Sequence, residues 1–183
     1  MVVDFRRLEA KNYSPLNING APVERVANFR YLGVTLSEDL TWTAHIDQVV
    51  KKARQRLYFF RRLRKYKLNR KILTNFYTCI IQSILTGNII SWFGNSTAKD
   101  RSRLQRVARA AERTIGGELP TLQGIYTRRC RARAGRISKD PSHPNNCLFA
   151  LLRSGKRYRS LMAKTERLKR SFYPQAIRIL NSS

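Results

Sequence analysis

No charged residue occurs between Lys71 and Lys99, whereas the segments on either side are dense in Lys and Arg. An uncharged run of this length has to be buried, in a protein core or in a bilayer. Its own residues separate the two. Asn75, Gln82, Gly87, Asn88, Asn95 and several Ser and Thr would be costly at a bilayer centre. Ile72, Leu73, Phe76, Tyr77, Ile80, Ile81, Ile84 and Leu85 form a broad apolar face at helical spacing, and Asn69 is a good N-cap type. The run predicts a core helix from about Asn69. Membrane association through residues 72–98 is the exception to be kept in view.

A core helix needs neighbours, and the flanks supply them. From Thr43, Ile46, Val49, Val50, Ala53, Leu57, Phe60 and Leu63 recur at spacings of three and four, with Lys and Arg at most positions between. A further helix is expected from about Thr97, with Leu104, Val107, Ala108, Ala111 and Ile115 inward and a stop at Gly116-Gly117. Before Thr43 the signals are those of short strands. Val2, Val3 and Phe5 read as part of one. Leu16 to Gly20 alternates and ends on Asn-Gly, a tight-turn signal, and Tyr31 to Leu36 is rich in strand formers with Gly33 in its middle. After Pro120 a helix is expected over Gln123–Ser138, then a turn-rich linker at 140–146, a basic stretch over 153–170, and a short docking helix carrying Phe172, Tyr173, Ala176, Ile177 and Leu180.

The expected fold class is mainly α with a small N-terminal antiparallel β piece (α+β): an amphipathic helix bundle followed by a loosely packed basic C-terminal extension. The expected division is a β-hairpin unit over 1–40, a helical bundle over 41–117 and the extension over 118–183.

Charge then narrows function. The chain holds 37 Lys and Arg against 11 Asp and Glu, a formal net charge of +26. Residues 1–50 contribute 5 basic and 6 acidic side chains, so residues 51–183 carry 32 against 5. Such an excess repels itself until a polyanion neutralises it, and nucleic acid is the usual polyanion. Aromatics interleave with the cations at Tyr58-Phe59-Phe60-Arg61-Arg62, around Tyr66, and at Arg157-Tyr158-Arg159. Phe60 belongs to the apolar stripe and reads as core. The expected nucleic-acid-binding residues are Lys51, Lys52, Arg54, Arg61, Arg62, Arg64, Lys65, Tyr66, Arg128, Arg129, Arg157 and Tyr158. The expected partner is RNA or an RNA/DNA duplex, with no small-molecule substrate, no cofactor and no metal, in an intracellular setting, nuclear or cytoplasmic.

Catalytic constellations are absent from the sequence. Cys130, His143 and Cys147 have the spacing of half a zinc module and lack its second close Cys. His45-Ile46-Asp47 with distant His143 matches the outline of an iron(II) facial triad, yet His45 and Asp47 are two apart on a helix and face different ways. Asp47 reads instead as a helix-start acid. Glu38-Asp39 reads as turn chemistry, and the remaining acids are too scattered for two-metal phosphoryl transfer. Three widely spaced cysteines do not make a disulfide framework.

Several segments together carry a resemblance. Met1–Arg7, Leu16–Gly20, Phe29–Val34, Leu40–Ile46, the basic Leu57–Leu63 helix, Tyr126–Cys130 and Ser171–Ile177 resemble the end of the palm, the thumb and the tail of LINE-type, non-LTR retrotransposon reverse transcriptases. This resemblance implies that Tyr31, Leu32 and Gly33 form a turn like a primer grip, that the helix over Lys51–Lys67 faces a template–primer duplex, and that the family's Phe/Tyr-x-Asp-Asp motif lies upstream of Met1. Residues from Val26 to about Gly94 also resemble the N-terminal segment of the AlkB homologue eight group of tRNA-modifying enzymes, which join an iron(II)/2-oxoglutarate dioxygenase to a methyltransferase. That second resemblance implies an accessory RNA-binding segment that is inactive without a catalytic domain.

Overall fold

The computed structural model describes Met1, Val3 and residues 14–182. The expected strand at Val2, Val3 and Phe5 lies outside the described residues, Val3 excepted.

Two small antiparallel hairpins come first. Strands β1 (Asn17–Ile18) and β2 (Ala21–Pro22) are joined at Asn19-Gly20, both with positive φ, the conformation that an Asn-Gly pair adopts at least cost. Strands β3 (Asn28–Tyr31) and β4 (Val34–Ser37) pair in the register Phe29 to Leu36 and Tyr31 to Val34. Gly33 is therefore not the middle of a strand, as composition implied. Leu32 (φ 47°) and Gly33 (φ 80°) are the two central residues of the turn. Leu is a poor residue for this left-handed conformation, so composition alone gave no turn signal there. The hairpin is held from below: the Thr35 amide donates to Nδ1 of buried His45 (3.3 Å), and the Thr35 hydroxyl bonds Gln48 (3.1 Å).

The body is helical. Helix α1 (Thr43–Lys65) buries His45, Ile46, Val49, Val50, Ala53, Leu57 and Phe60, the stripe its spacing predicts. Helix α2 (Arg70–Phe76) is capped by the Asn69 side chain, which accepts from the Ile72 amide. It runs on through a π-helical turn (Tyr77–Gln82) into α3 (Ser83–Thr86). Asn88, left-handed at φ 47°, then breaks the axis before α4 (Ile89–Trp92). By length and composition, Arg70–Asn95 would suffice to cross a membrane, at a mean hydropathy of 1.2. Its inward row, Leu73, Tyr77, Ile81, Leu85, Ile89 and Trp92, lies at the centre of the protein core. The Trp92 indole N–H donates to the Gly87 carbonyl at 2.8 Å, closing the break between α3 and α4.

Helix α5 (Ala98–Ile115) packs along α1. Thr97 caps it by accepting from the Asp100 amide, and left-handed Gly116 ends it. Asp47 is not a dipole partner in the first turn of α1, as expected, but an ion-pair partner across the interface. Its carboxylate lies 2.5 Å from Arg103 of α5, which also reaches Asp100 at 3.2 Å. Helix α6 (Leu122–Lys139) sends Leu122, Ile125, Tyr126 and Cys130 into the main core. One turn further, Ala134 and Ile137 join a second, smaller core with Phe149, Ala176 and Ile177. The tail crosses back over the body through α7 (Glu166–Lys169) and α8 (Phe172–Asn181), and α8 packs on α6.

Candidate nucleic-acid interface

Helix geometry sorts the cations of α1 into separate rows. Lys51, Tyr58, Arg62, Lys65 and Tyr66 lie on the face opposite the buried stripe and are exposed. Tyr58 and Phe59 meet edge to face at 5.6 Å on the surface, whereas Phe60 is fully buried and stacks on Phe76 at 5.5 Å. Lys52 is exposed on the flank. Arg54 and Arg61 are turned toward α5 instead.

There they meet cations that the sequence reading passed over. Arg54, Arg61 and Arg106 stand around a furrow of about 320 Å³ whose floor is Leu57, Val107 and Ala110. Arg106 continues along α5 into Arg109 and Arg113, at i, i+3 and i+7, beside a single acid, Glu112. None of Arg54, Arg61 and Arg106 forms an ion pair among the described residues. Arg64 does not line the furrow. Its guanidinium donates to the Arg113 carbonyl at 2.6 Å, so it ties the C-terminal turn of α5 to α1 and places positive charge at the negative end of that helix. The signal available in sequence was the Arg106-Arg109-Arg113 spacing, which becomes meaningful only once α5 is set against α1.

The remaining expected residues are dispersed. Arg128 is exposed on α6. Arg129 donates to the Thr86 carbonyl at 2.5 Å and so caps α3. Arg157 is exposed in the turn between Leu151 and Tyr158. Tyr158, expected among the binding residues, is half-buried: its ring meets Phe149 edge-on at 6.0 Å, and its backbone is clasped at both ends by the Asn181 amide. Tyr31 and Leu32 are exposed at the hairpin tip, which is anchored where Asn88 donates to the Leu32 carbonyl (2.9 Å).

Burial shifts several titratable groups. Burial pushes the Tyr77 hydroxyl up to about 12, with nearby Glu112 adding to the effect. Burial also raises Tyr126 and Cys130, and it lowers His45, aided by Lys52. Cys130 is buried, His143 accepts from the Asn145 amide and Cys147 is exposed. No group of three metal-ligating side chains occurs among the described residues.

A family model described as alkylated DNA repair protein alkB homolog 8, N-terminal, matches residues 42–83. This stretch runs from the residue before α1 to the first residue of α3, so it covers one wall of the furrow and leaves out α5 and α6. No curated protein matches the chain, and no solved structure does. The match supports the second of the two resemblances over this helical unit. The retroelement resemblance has no counterpart among these comparisons.

Proposed function

We propose that this chain is a nucleic-acid-binding accessory segment that holds a phosphate backbone in the furrow between α1 and α5 and has no active site of its own. The carrying observation is the furrow: unpaired guanidinium groups from two helices flank an apolar floor. Three cations crowded in one cleft without an acid repel one another, and a row of phosphates relieves that repulsion while releasing counterions. Arginine suits the task because its planar fork meets phosphate oxygens two at a time. Contacts of this kind read backbone, not base edges, so affinity is indifferent to sequence. The family match is consistent with this role, since the matched family is named for a repair protein acting on nucleic acid and the matched region is its N-terminal segment. Lys51, Arg62, Lys65 and Tyr66 would widen the contact along α1, whereas Lys52, about half a turn around the helix from Arg61, faces away from it, and catalysis would come from another domain or chain.

A second reading, the thumb of a retroelement polymerase with Tyr31, Leu32 and Gly33 as its primer-side turn, is favoured by one observation. Tyr31 and Leu32 present exposed side chains at the Leu32-Gly33 turn. Both readings use the same furrow.

The test is a salt titration of binding to an RNA duplex of arbitrary sequence. The variant Arg54→Gln/Arg61→Gln/Arg106→Gln should bind at least about 10-fold more weakly than the parent at 0.1 M salt. Its log–log salt slope should be shallower by about 2.7, at about 0.9 for each lost phosphate contact. An unchanged slope in a folded variant would refute the furrow as the interface.

A further inference from the structure

Where α6 crosses the break between α3 and α4 there is a second cleft, of about 340 Å³, separate from the furrow. Ile89, Ile90 and Ala132 form its apolar surface; Arg129, Arg133 and Arg136 line one side, and Asn88 the other. The three arginines fall at i, i+4 and i+7, a single stripe along α6. They are not equivalent. Arg129 is fixed by its bond to the Thr86 carbonyl. One nitrogen of its fork is thereby committed, and the rest of that planar group is held at the cleft without further ordering cost. Arg133 and Arg136 are exposed, and neither forms an ion pair among the described residues. No carboxylate lines the cleft. Asn88, fixed in a left-handed conformation, spends its amide on the Leu32 carbonyl at 2.9 Å, which joins the cleft to the exposed hairpin tip.

We infer that this cleft is a phosphate-binding site, taking a backbone phosphate of a nucleic acid, with the sugar resting on Ile90 and Ala132. The inference rests on the proposed function and adds a second anchor to it. One pre-positioned guanidinium and two mobile ones can surround a tetrahedral anion, and the apolar surface offers no competing acceptor. The apolar surface of Ile90 and Ala132 favours a phosphate that carries a sugar over a bare anion, so the expected occupant is a strand.

The test compares the whole chain with Arg133→Gln/Arg136→Gln, by fluorescence anisotropy on an RNA duplex bearing a single-stranded overhang. Circular dichroism melts check that the fold is kept. The variant should bind about 10-fold more weakly, with a salt slope shallower by about 0.7, the value for one single-stranded phosphate. Arg129→Lys, which keeps the charge and loses the fork, should also weaken binding. Parental affinity and slope in Arg133→Gln/Arg136→Gln, while the furrow variant is impaired, would overturn the cleft and leave the proposed function standing. Parental behaviour in both variants would overturn both. Loss of binding to phosphatidylserine vesicles with RNA binding intact would assign the cleft to a lipid headgroup and also overturn the inference.

Discussion

Asp100 is one of only five acids after residue 50, and its removal is the sharpest test of how the furrow's two helices are held together. Its carboxylate is almost fully buried and joins three groups. One oxygen accepts from the Thr97 hydroxyl (2.8 Å) and the Thr43 hydroxyl (3.3 Å), and the other from Arg103 (3.2 Å). Through Thr43 it ties the first turn of α1 to the first turn of α5, where its charge also complements the helix dipole. Hydrogen bonds to a charged group contribute about 1.5–3 kcal/mol each, but the threonine hydroxyls can turn to other acceptors when the carboxylate is lost. Arg103 keeps Asp47 at 2.5 Å, so Asp100→Ala does not strand a cation, and the cost falls at the low end of the roughly 3–5 kcal/mol of a broken buried pair. The expected destabilisation is about 3 kcal/mol. For a chain of this size that corresponds to a fall in Tm of roughly 6–12 °C, followed by circular dichroism at 222 nm. Asp100→Asn retains an acceptor and loses the charge, and should cost about half as much. A loss below about 1 kcal/mol in Asp100→Ala would show that this carboxylate does not join α1 to α5.

Two further predictions concern the framework around the interface. A methyl group at Gly94 would lie inside van der Waals contact of the Arg170 carbonyl oxygen and 2.9 Å from the Tyr126 hydroxyl. Gly94→Ala should therefore cost about 1–3 kcal/mol and raise amide hydrogen exchange over residues 166–181; unchanged exchange there would contradict the packing of the tail on this turn. His45 has its folded pKa lowered below 6.5, first by burial and then by Lys52, so the unfolded chain binds the extra proton first. Its contribution to stability is complete above pH 6.5 and is lost as pH falls toward the folded pKa, at up to about 1.4 kcal/mol per pH unit. Tm measured between pH 7.5 and 5 should fall less steeply in His45→Gln than in the parent, and equal slopes would remove His45 as the cause.

Much of the framework was legible because its signals are local. Asn69, Thr97 and Gly116 end helices where their side chains or their backbone freedom require it, and Asn19-Gly20 turns a hairpin. The apolar stripes of α1 and α5 carry their own period. Signals that depend on a distant partner were not legible. Asp47 looked like a dipole residue because Arg103 is far along the chain. Tyr158 looked solvent-facing among cations because Phe149, Asn181 and the Leu151 bridge that enclose it are set by the fold of the tail. The π-helical turn at Tyr77–Gln82 has no local sequence mark. The candidate interface divides in the same way. The dense cations of α1 were visible as a run. Arg106, Arg109 and Arg113 are spread through an alanine-containing amphipathic helix, and they become a row only when α5 lies beside Arg54 and Arg61.

The central claim is that this fold reads backbone charge, and it is tested most directly by the parent chain's affinity for two unrelated RNA duplexes of equal length between 50 and 200 mM salt. The expected result is one common line for both duplexes, with a log–log slope of about −3 or steeper, as neutralisation of three or more phosphates requires. A slope near zero, or a line for one duplex displaced by 10-fold or more from the other, would contradict it.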